Sequence, residues 1–175
     1  MTMKRLVCLT LIVLFSIILA ACAKATPQHV DDMINPGDKI GGFLITTGDD
    51  EGVTYVCMIH CPGENHSTGT ESCEFSVGTK VNVGAGFYDD YPSSGKTLDE
   101  TWSEQINNHK MVIESRPVNL QAFGSIDITH PILGTIRNWN VVIVTDKPGK
   151  ITARSTGVYD GDPIDYTATL TFSAP

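Results

Sequence analysis

The chain has 175 residues and a formal net charge of −8, from 20 acidic and 12 basic side chains. An acidic surface repels phosphate backbones and anionic lipid head groups. No cluster of lysine and arginine is interleaved with aromatic residues, so we expect no nucleic acid partner.

The first residues have the three regions of a secretory signal peptide. Lys4 and Arg5 precede an apolar run over residues 6–19, and two alanines follow. The basic start, apolar run and small residues are the order that export signals share. The run is shorter than the roughly 20 residues of a transmembrane helix. We therefore predict that residues 1–21 are a cleaved signal peptide.

The signal ends in Leu19-Ala20-Ala21-Cys22, which resembles the bacterial lipobox. The resemblance implies that the Cys22 sulfur receives a diacylglycerol and that Cys22 becomes the first mature residue. The alternative is ordinary signal peptidase cleavage after Ala23 or Ala25, where small residues occupy the required positions. Lipidation requires this cysteine, whereas ordinary cleavage would leave it there by coincidence. We expect an extracytoplasmic protein, lipid-anchored to a bacterial membrane through Cys22.

Residues 22–36 are predicted to form a flexible tether behind the lipidated cysteine. They include Pro27, Asp31 and Pro36 and have no sustained apolar periodicity. Fully extended, such a segment would span about 45 Å. The remaining residues, 37–175, are close to the usual size of one domain, which we predict to be single.

The domain has the composition and spacing of strands. Eight short β-prone runs are separated by Gly, Pro, Asp and Ser. One helix is predicted over residues 97–106, where Thr97 and Glu100 have capping-box spacing. This pattern favours an all-β fold, an antiparallel β-sandwich with at most one short peripheral helix. The predicted strands cover residues 43–46, 53–61, 73–77, 80–87, 111–113, 140–145, 151–156 and 166–172.

A further pattern lies near the C-terminus. The run from Trp139 to Val144 leads through Lys147-Pro148-Gly149 into a second run, Ile151 to Arg154. It resembles the closing hairpin of extracellular immunoglobulin-like domains, over about a quarter of the mature chain. The resemblance implies an immunoglobulin-like sandwich that ends with a strand over residues 167–173.

Three cysteines remain for disulfide formation, because Cys22 carries the lipid and Cys8 leaves with the signal. Cys61 and Cys73 bracket a polar, glycine-rich loop, and a disulfide closing it would stabilise the fold by about 3 kcal/mol. Cys57 would then be a buried thiol. The alternative pair is Cys57 with Cys73, which leaves Cys61 near the surface, a worse position for a thiol in an oxidising compartment.

The same segment contains residue types that bind soft metals, namely Cys57, His60, Cys61, His66 and Cys73. Their spacing lacks the close cysteine pairs of structural zinc sites. Along a strand, His60 would also face the side opposite Cys57 and Cys61. We therefore expect no metal site among these residues and favour the disulfide.

Two acidic turns, Asp49–Glu51 and Asp89–Asp90, carry the oxygen ligands that calcium prefers. Neither has EF-hand spacing, and acids in turns are commonly solvated. We expect no cofactor, and calcium is the one ion that these turns leave open.

Recognisable catalytic motifs are absent from the sequence. It has no Gly-x-Ser-x-Gly elbow, Walker loop or dinucleotide fingerprint. Acids within residues 99–104 are compatible with glycoside hydrolysis, but a helix with Trp102 packed inward explains the same pattern. His109 and His130 are isolated. We expect that the protein is not an enzyme.

Three functional interpretations follow. The leading one is a non-catalytic surface lipoprotein that presents the loops Cys61–Cys73 and Phe87–Gly95 to an unidentified envelope or extracellular protein. The second is a carbohydrate-binding module, in which Tyr88, Tyr91 and Trp102 supply flat apolar faces and acids accept hydrogen bonds. The third is a metal-dependent or hydrolytic enzyme, which would require histidines and acids to converge in one pocket.

Overall fold

The chain was analysed as a computed structural model. It describes residues 32–49, 53–55, 68–88, 95, 97–105, 108–130, 134–159 and 162–174. In chain order, the elements are β1 (Lys39–Ile40), β2 (Phe43–Thr46), β3 (Val53–Tyr55), β4 (Thr68–Ser76), β5 (Lys80–Asn82), β6 (Gly86–Tyr88), α1 (Leu98–Gln105), β7 (Lys110–Ile113), β8 (Arg116–Pro117), α2 (Leu120–Phe123), β9 (Ser125–His130), β10 (Gly134–Trp139), β11 (Val142–Val144), β12 (Gly149–Tyr159) and β13 (Asp162–Ser173).

The strands form three sheets. Sheet 1 has the order β1-β2-β11-β5-β3, sheet 2 the order β4-β13-β12-β7-β8, and sheet 3 the order β6-β10-β9. The predicted all-β sandwich is confirmed. Most strand pairs are antiparallel, as expected, but β3 pairs with β5 and β4 with β13 in parallel. Parallel pairing requires a long connection between the two strands, and both of these pairs have one.

Sheets 1 and 2 enclose the main hydrophobic core. The ring centroids of Phe43 on β2 and Phe172 on β13 are 5.7 Å apart, which joins the two sheets directly. Ile45, Ile143 and Leu170 are fully buried in the same cluster. Each such side chain contributes roughly 1.5–3 kcal/mol when it leaves water. Apolar burial between two sheets therefore defines the sandwich.

Side chains alternate along β13, so one face of the strand packs into the core and the other faces away from it. Ala168, Leu170 and Phe172 are buried, whereas the intervening Thr169 and Thr171 are only half-buried. A strand directs successive side chains to opposite faces, so the threonines point away from the core. The sequence over residues 166–172 alternates between apolar and polar residues in the same register, so the buried face of β13 follows from its local pattern.

The folded unit begins earlier than the sequence indicated. Ile34 is fully buried, its N–H donates to the Pro117 carbonyl at 2.8 Å, and its carbonyl accepts from the Asn119 N–H at 2.9 Å. Residues from Asp32 onward therefore belong to the compact unit Asp32–Pro175. Residues 32–36, which the sequence placed in the predicted tether, therefore lie in this unit, because the two apolar residues Met33 and Ile34 are too few to give a periodic signal.

Two helices are present in the described residues, one more than the sequence predicted. The predicted helix over 97–106 corresponds to α1, and its capping box forms: the Glu100 carboxylate accepts from the Thr97 N–H at 2.8 Å. The unpredicted α2 has four residues and buries Leu120 and Phe123. Such a short segment has no measurable helical period. Neither described helix is long and apolar enough to cross a membrane.

The run predicted as one strand near Trp139 is divided between two sheets. Trp139 is the last residue of β10 in sheet 3, and Val142 begins β11 in sheet 1. The predicted hairpin across the Pro-Gly turn is wrong, since β11 pairs with β2 and β5 while β12 pairs with β13 and β7. The turn instead carries the chain from sheet 1 to sheet 2.

The connection between β5 and β6 passes close to the backbone of β10. The Asn82 amide donates to the Trp139 carbonyl at 3.2 Å and accepts from the Gly84 N–H at 2.8 Å. A Cβ atom on Gly84 would lie 1.8 Å from the Trp139 carbonyl oxygen. Glycine is required here because two backbone segments approach too closely for any side chain.

We expect Gly84→Ala to destabilise the protein by about 3 kcal/mol or more, since the opposing backbone cannot yield as a flexible side chain would. Gly69→Ala is the matched control, because its Cβ would lie 3.8 Å from the Tyr166 ring, an ordinary contact. That control should change stability by no more than about 0.5 kcal/mol. Urea denaturation of both variants measures the difference, and equal midpoints would contradict the close approach.

Candidate functional site

Several residues predicted to act in a site lie outside the described residues. They are the lipidation residue Cys22, the cysteines Cys57 and Cys61, and Tyr91. Cys73 is described: it lies on β4, opposite Leu170 of β13, and its side chain is buried. Its disulfide with Cys61, or with Cys57, stays a prediction.

Two of the residues proposed to bind a carbohydrate lie on neighbouring elements. Tyr88 is the last residue of β6, and α1, which carries Trp102, packs against that strand. The Trp102 ring centroid is 4.7 Å from that of Trp139, with the rings tilted by 48°. Trp102 is half-buried and packed against the core. Its described contact is therefore the docking of α1.

A charged cluster beside this contact holds α1 against sheet 3. Arg137 donates from Nε and Nη2 to both carboxylate oxygens of Asp127, at 2.6 and 2.8 Å. It also donates from Nη1 to Asp99 on α1 at 2.6 Å. The Arg137 hydrogen bond lowers the pKa of Asp127, and the two carboxylates raise the pKa of Arg137. A guanidinium shared in this way fixes the position of the helix relative to the strands.

This cluster was not predicted because β9 and β10 were not among the predicted strands. Asp127 and Arg137 are directly opposite each other in the β9–β10 pair. The signal that could have found them is the alternation of Ile126 and Ile128 with polar residues, followed by a loop and Ile136. Cross-strand pairs of opposite charge are typical of antiparallel hairpins.

His109 is buried against the same tryptophan. Only 5% of His109 is exposed, and its ring stacks on Trp139 with centroids 6.4 Å apart. A Cβ on Gly157 would lie 3.5 Å from His109 Nδ1, so β12 borders the ring on another side. Neither ring nitrogen of His109 has a hydrogen-bond partner among the described residues, and Trp139 Nε1 has none there either. Burial lowers the pKa of His109 to about 4, so the imidazole is neutral near pH 7.

The described residues do not assemble a metal site. Among them, no three His, Cys, Asp or Glu side chains lie close enough together to hold an ion. Asp49, from one of the two acidic turns, has an oxygen 4.0 Å from the Lys80 Nζ and is largely exposed. The histidines at 60 and 66 and the second acidic turn lie outside the described part of the chain.

The outer face of sheet 2, defined as the surface of β4, β13 and β12 that points away from the core, is a polar surface. Its cross-strand rows include Ser72–Thr169–Thr152 and Thr70–Thr167–Arg154. Arg154 makes two hydrogen bonds to Asp165, at 2.7 and 2.6 Å, and both side chains are about half exposed. Threonine and serine at these positions suit exposed strand sites and offer hydroxyl groups to a partner.

The chain matches no protein-family model, no curated protein and no solved structure. The immunoglobulin-like resemblance therefore stays a prediction, and the confirmed statement is the coarser one, an all-β sandwich. Functional inference rests on the chemistry of this chain's own residues.

The buried imidazole predicts a specific pH dependence of stability. The unfolded His109 has a pKa near 6.5, so below that pH the unfolded chain binds a proton that the folded chain excludes until about pH 4. The free energy of unfolding should not change through this group above pH 6.5. It should fall by up to about 3 kcal/mol as the pH drops to 4, and change no further through this group below that.

Denaturation of His109→Phe at pH 7, 5.5 and 4.5 measures the effect, because phenylalanine keeps an aromatic ring against Trp139 without a titrating nitrogen. The variant should lose most of the dependence between pH 6.5 and 4. His109→Leu serves as a second variant in case phenylalanine overpacks the site. A slope identical to that of the wild type in both variants would show that His109 is not the titrating group.

Proposed function

We propose that the protein is a secreted, non-catalytic lipoprotein of the bacterial cell envelope that presents its β-sandwich to a protein partner. The observation that carries the proposal is the motif Leu19-Ala20-Ala21-Cys22, placed ten positions before Asp32, where the compact unit begins. A lipid on Cys22 would thus hold a folded domain close to the membrane through a short linker. This arrangement suits a protein that displays a binding surface.

The proposed non-catalytic role is supported by how the described charged and titratable groups are used. Arg137 is held by Asp99 and Asp127, and Arg154 is held by Asp165. His109 is buried with a lowered pKa and is bordered by Trp139 and by Gly157 of β12. Groups that perform acid–base catalysis must reach a substrate and titrate near the working pH. These groups have structural roles instead.

The polar outer face of sheet 2 supports the proposal that the partner is a protein. From the strand spacing and the nine residues of β4, its three long strands cover an area of about 14 by 30 Å. That is roughly half of the ~800 Å² that each partner contributes to a standard protein interface. A partner would therefore need an adjoining edge or loop in addition to this face.

Lipid anchoring is tested with Cys22→Ser in cells fed radiolabelled palmitate. We expect the wild-type chain to carry the label and to sediment with membranes, and the variant to lose the label because no thiol remains at this position to receive the diacylglycerol. Cys57→Ser is the matched control and should keep the label. An unlabelled wild type, or a labelled Cys22→Ser chain, would contradict the anchored role.

Carbohydrate binding is the second candidate, favoured by the position of α1 beside β6, which brings the helix of Trp102 next to the strand that ends at Tyr88. Aromatic faces near acids are typical of sugar sites.

Thermal unfolding of the full chain against envelope and extracellular polysaccharides, each with calcium or a chelator, tests this candidate. A glycan at a hundredfold excess over its dissociation constant should stabilise the fold by about 2.7 kcal/mol. The shift should vanish in Tyr91→Ala and persist in Tyr159→Ala, a control on the β12–β13 connection. No shift with any glycan would discard this candidate and leave the protein partner.

A further inference from the structure

The outer edge of sheet 2 is formed by an unusually long edge strand. β4 has nine residues, whereas the edge strands β1, β3, β6 and β8 have two or three and the edge strand β9 has six. Natural sheets shorten their edges or place lysine, proline or a bulge there, since a long edge recruits further strands. β4 contains no lysine, arginine or proline. The charged residues of β4 are Glu71 and Glu74, so repulsion at this edge acts against acidic strands and leaves pairing with a basic strand open.

One hydrogen bond fixes which backbone groups of β4 face outward. The Val77 N–H donates to the Ser173 carbonyl at 2.9 Å, directly after the paired residues Ser76 and Ser173. Because the hydrogen-bonding side alternates along a strand, Cys73 also directs its backbone groups toward β13. The backbone N–H and C=O groups of Thr70, Ser72 and Glu74 therefore point away from β13. No strand in the described part of the chain pairs with that side of β4.

The side chains along this edge specify the chemistry of an added strand. Phe75 points inward, where its ring centroid is 5.7 Å from that of Phe172, yet it remains half-buried at the end of the core. Glu71 also points inward and accepts a hydrogen bond from the Tyr166 hydroxyl. The side chain of Glu74 lies on the outer face of sheet 2 and is exposed. An added strand would cover Phe75 with an apolar residue and place a basic residue beside Glu74.

We propose that the outer edge of β4 is a strand-addition site for an extended, basic segment of another protein, with apolar or β-branched residues on one face and lysine or arginine on the other. The inference rests on the proposed function, because it names the surface that meets the partner. β4 has two carboxylates and no cation, and the whole chain has a charge of −8, so a basic strand is complementary and a second copy of this chain is not.

Amide hydrogen exchange on the purified full-length chain tests whether the edge is open. We expect the Thr70, Ser72 and Glu74 amides to exchange at least about tenfold faster than those of Glu71 and Cys73, which bond to β13. This alternation is specific to a strand paired on one side only. Protection of all five amides in the chain alone would mean that the edge is already covered and would overturn the proposal.

Binding is tested with a capped nine-residue peptide that alternates lysine with valine, and with a control peptide that alternates glutamate with valine. Ser72→Pro removes an outward N–H and leaves the bonds to β13 intact, because proline lacks a donor but tolerates an extended backbone. Ser72→Ala keeps the N–H and is the matched control. Thr70→Pro removes a second outward donor, in case Ser72→Pro perturbs folding.

The lysine peptide should bind the wild type and Ser72→Ala alike and protect the outward amides. Its affinity should fall at least about tenfold in the proline variants, because each lacks one main-chain donor. Glu74→Lys should reverse the preference between the two peptides. Equal binding by the proline variants, or binding of neither peptide, would overturn the proposal. Self-association that Ser72→Pro abolishes, with no peptide binding, would also overturn it, by assigning the edge to a second copy.

Failure of this site is distinguishable from failure of the proposed function, because the edge variants leave Cys22 unchanged. Palmitate labelling of the wild type with no peptide effect would reject the edge and retain the anchored protein. An unlabelled wild type that binds the lysine peptide through β4 would reject the anchor and retain the edge.

Discussion

The burial of Trp139 is the contact on which the arrangement of the three sheets depends. This residue ends β10 in sheet 3 and is almost fully buried. Its carbonyl accepts from Asn82 of sheet 1, its ring meets Trp102 of α1, and His109 stacks on it just before β7 of sheet 2. An indole contributes a large apolar area, so one side chain stabilises several otherwise separate elements. Gly84 is required because the chain passes so close to the Trp139 backbone that no side chain fits.

Around this apolar centre, the charged groups form ion pairs near the surface, and the buried imidazole is uncharged. Arg137 and Arg154 each meet aspartate on a neighbouring strand, where partial exposure keeps the cost of desolvation small. His109 has no such partner among the described residues, and burial therefore keeps it uncharged. A neutral imidazole is tolerated beside an indole, whereas an imidazolium would be a buried charge without compensation. The burial of His109 thereby makes the stability of the fold depend on pH.

The proposed lipid anchor and the proposed strand-addition site on β4 would impose opposing requirements on one protein. Anchored copies would be confined to a membrane surface, where frequent encounters favour edge-to-edge association. The chain's negative charge would oppose such association by mutual repulsion and would still attract the proposed basic partner. Under the proposal, the negative charge would therefore disfavour pairing between copies and favour pairing with a basic strand at the same edge.

The local sequence determined element types and the faces of individual strands. The capping box of Thr97 and Glu100 located α1 to within one residue at each end, and alternation over residues 166–172 identified the buried face of β13. These features depend on neighbours a few positions apart, so the sequence contains their cause directly. The anchoring motif at Cys22 is local in the same sense, and its chemistry stays a prediction.

Strand partners, sheet membership and the candidate sites were decided by the tertiary structure. β4 lies beside β13 although paired residues such as Thr68 and Asp165 are 97 positions apart, and Trp139 and Val142 enter different sheets although they are only three positions apart. Ile34 is buried only because residues far along the chain cover it. Side-chain periodicity states which face of a strand is buried and contains no information about its partner. Pairing, and therefore the edge position of β4 among the described strands, follows from the burial of all apolar faces at once.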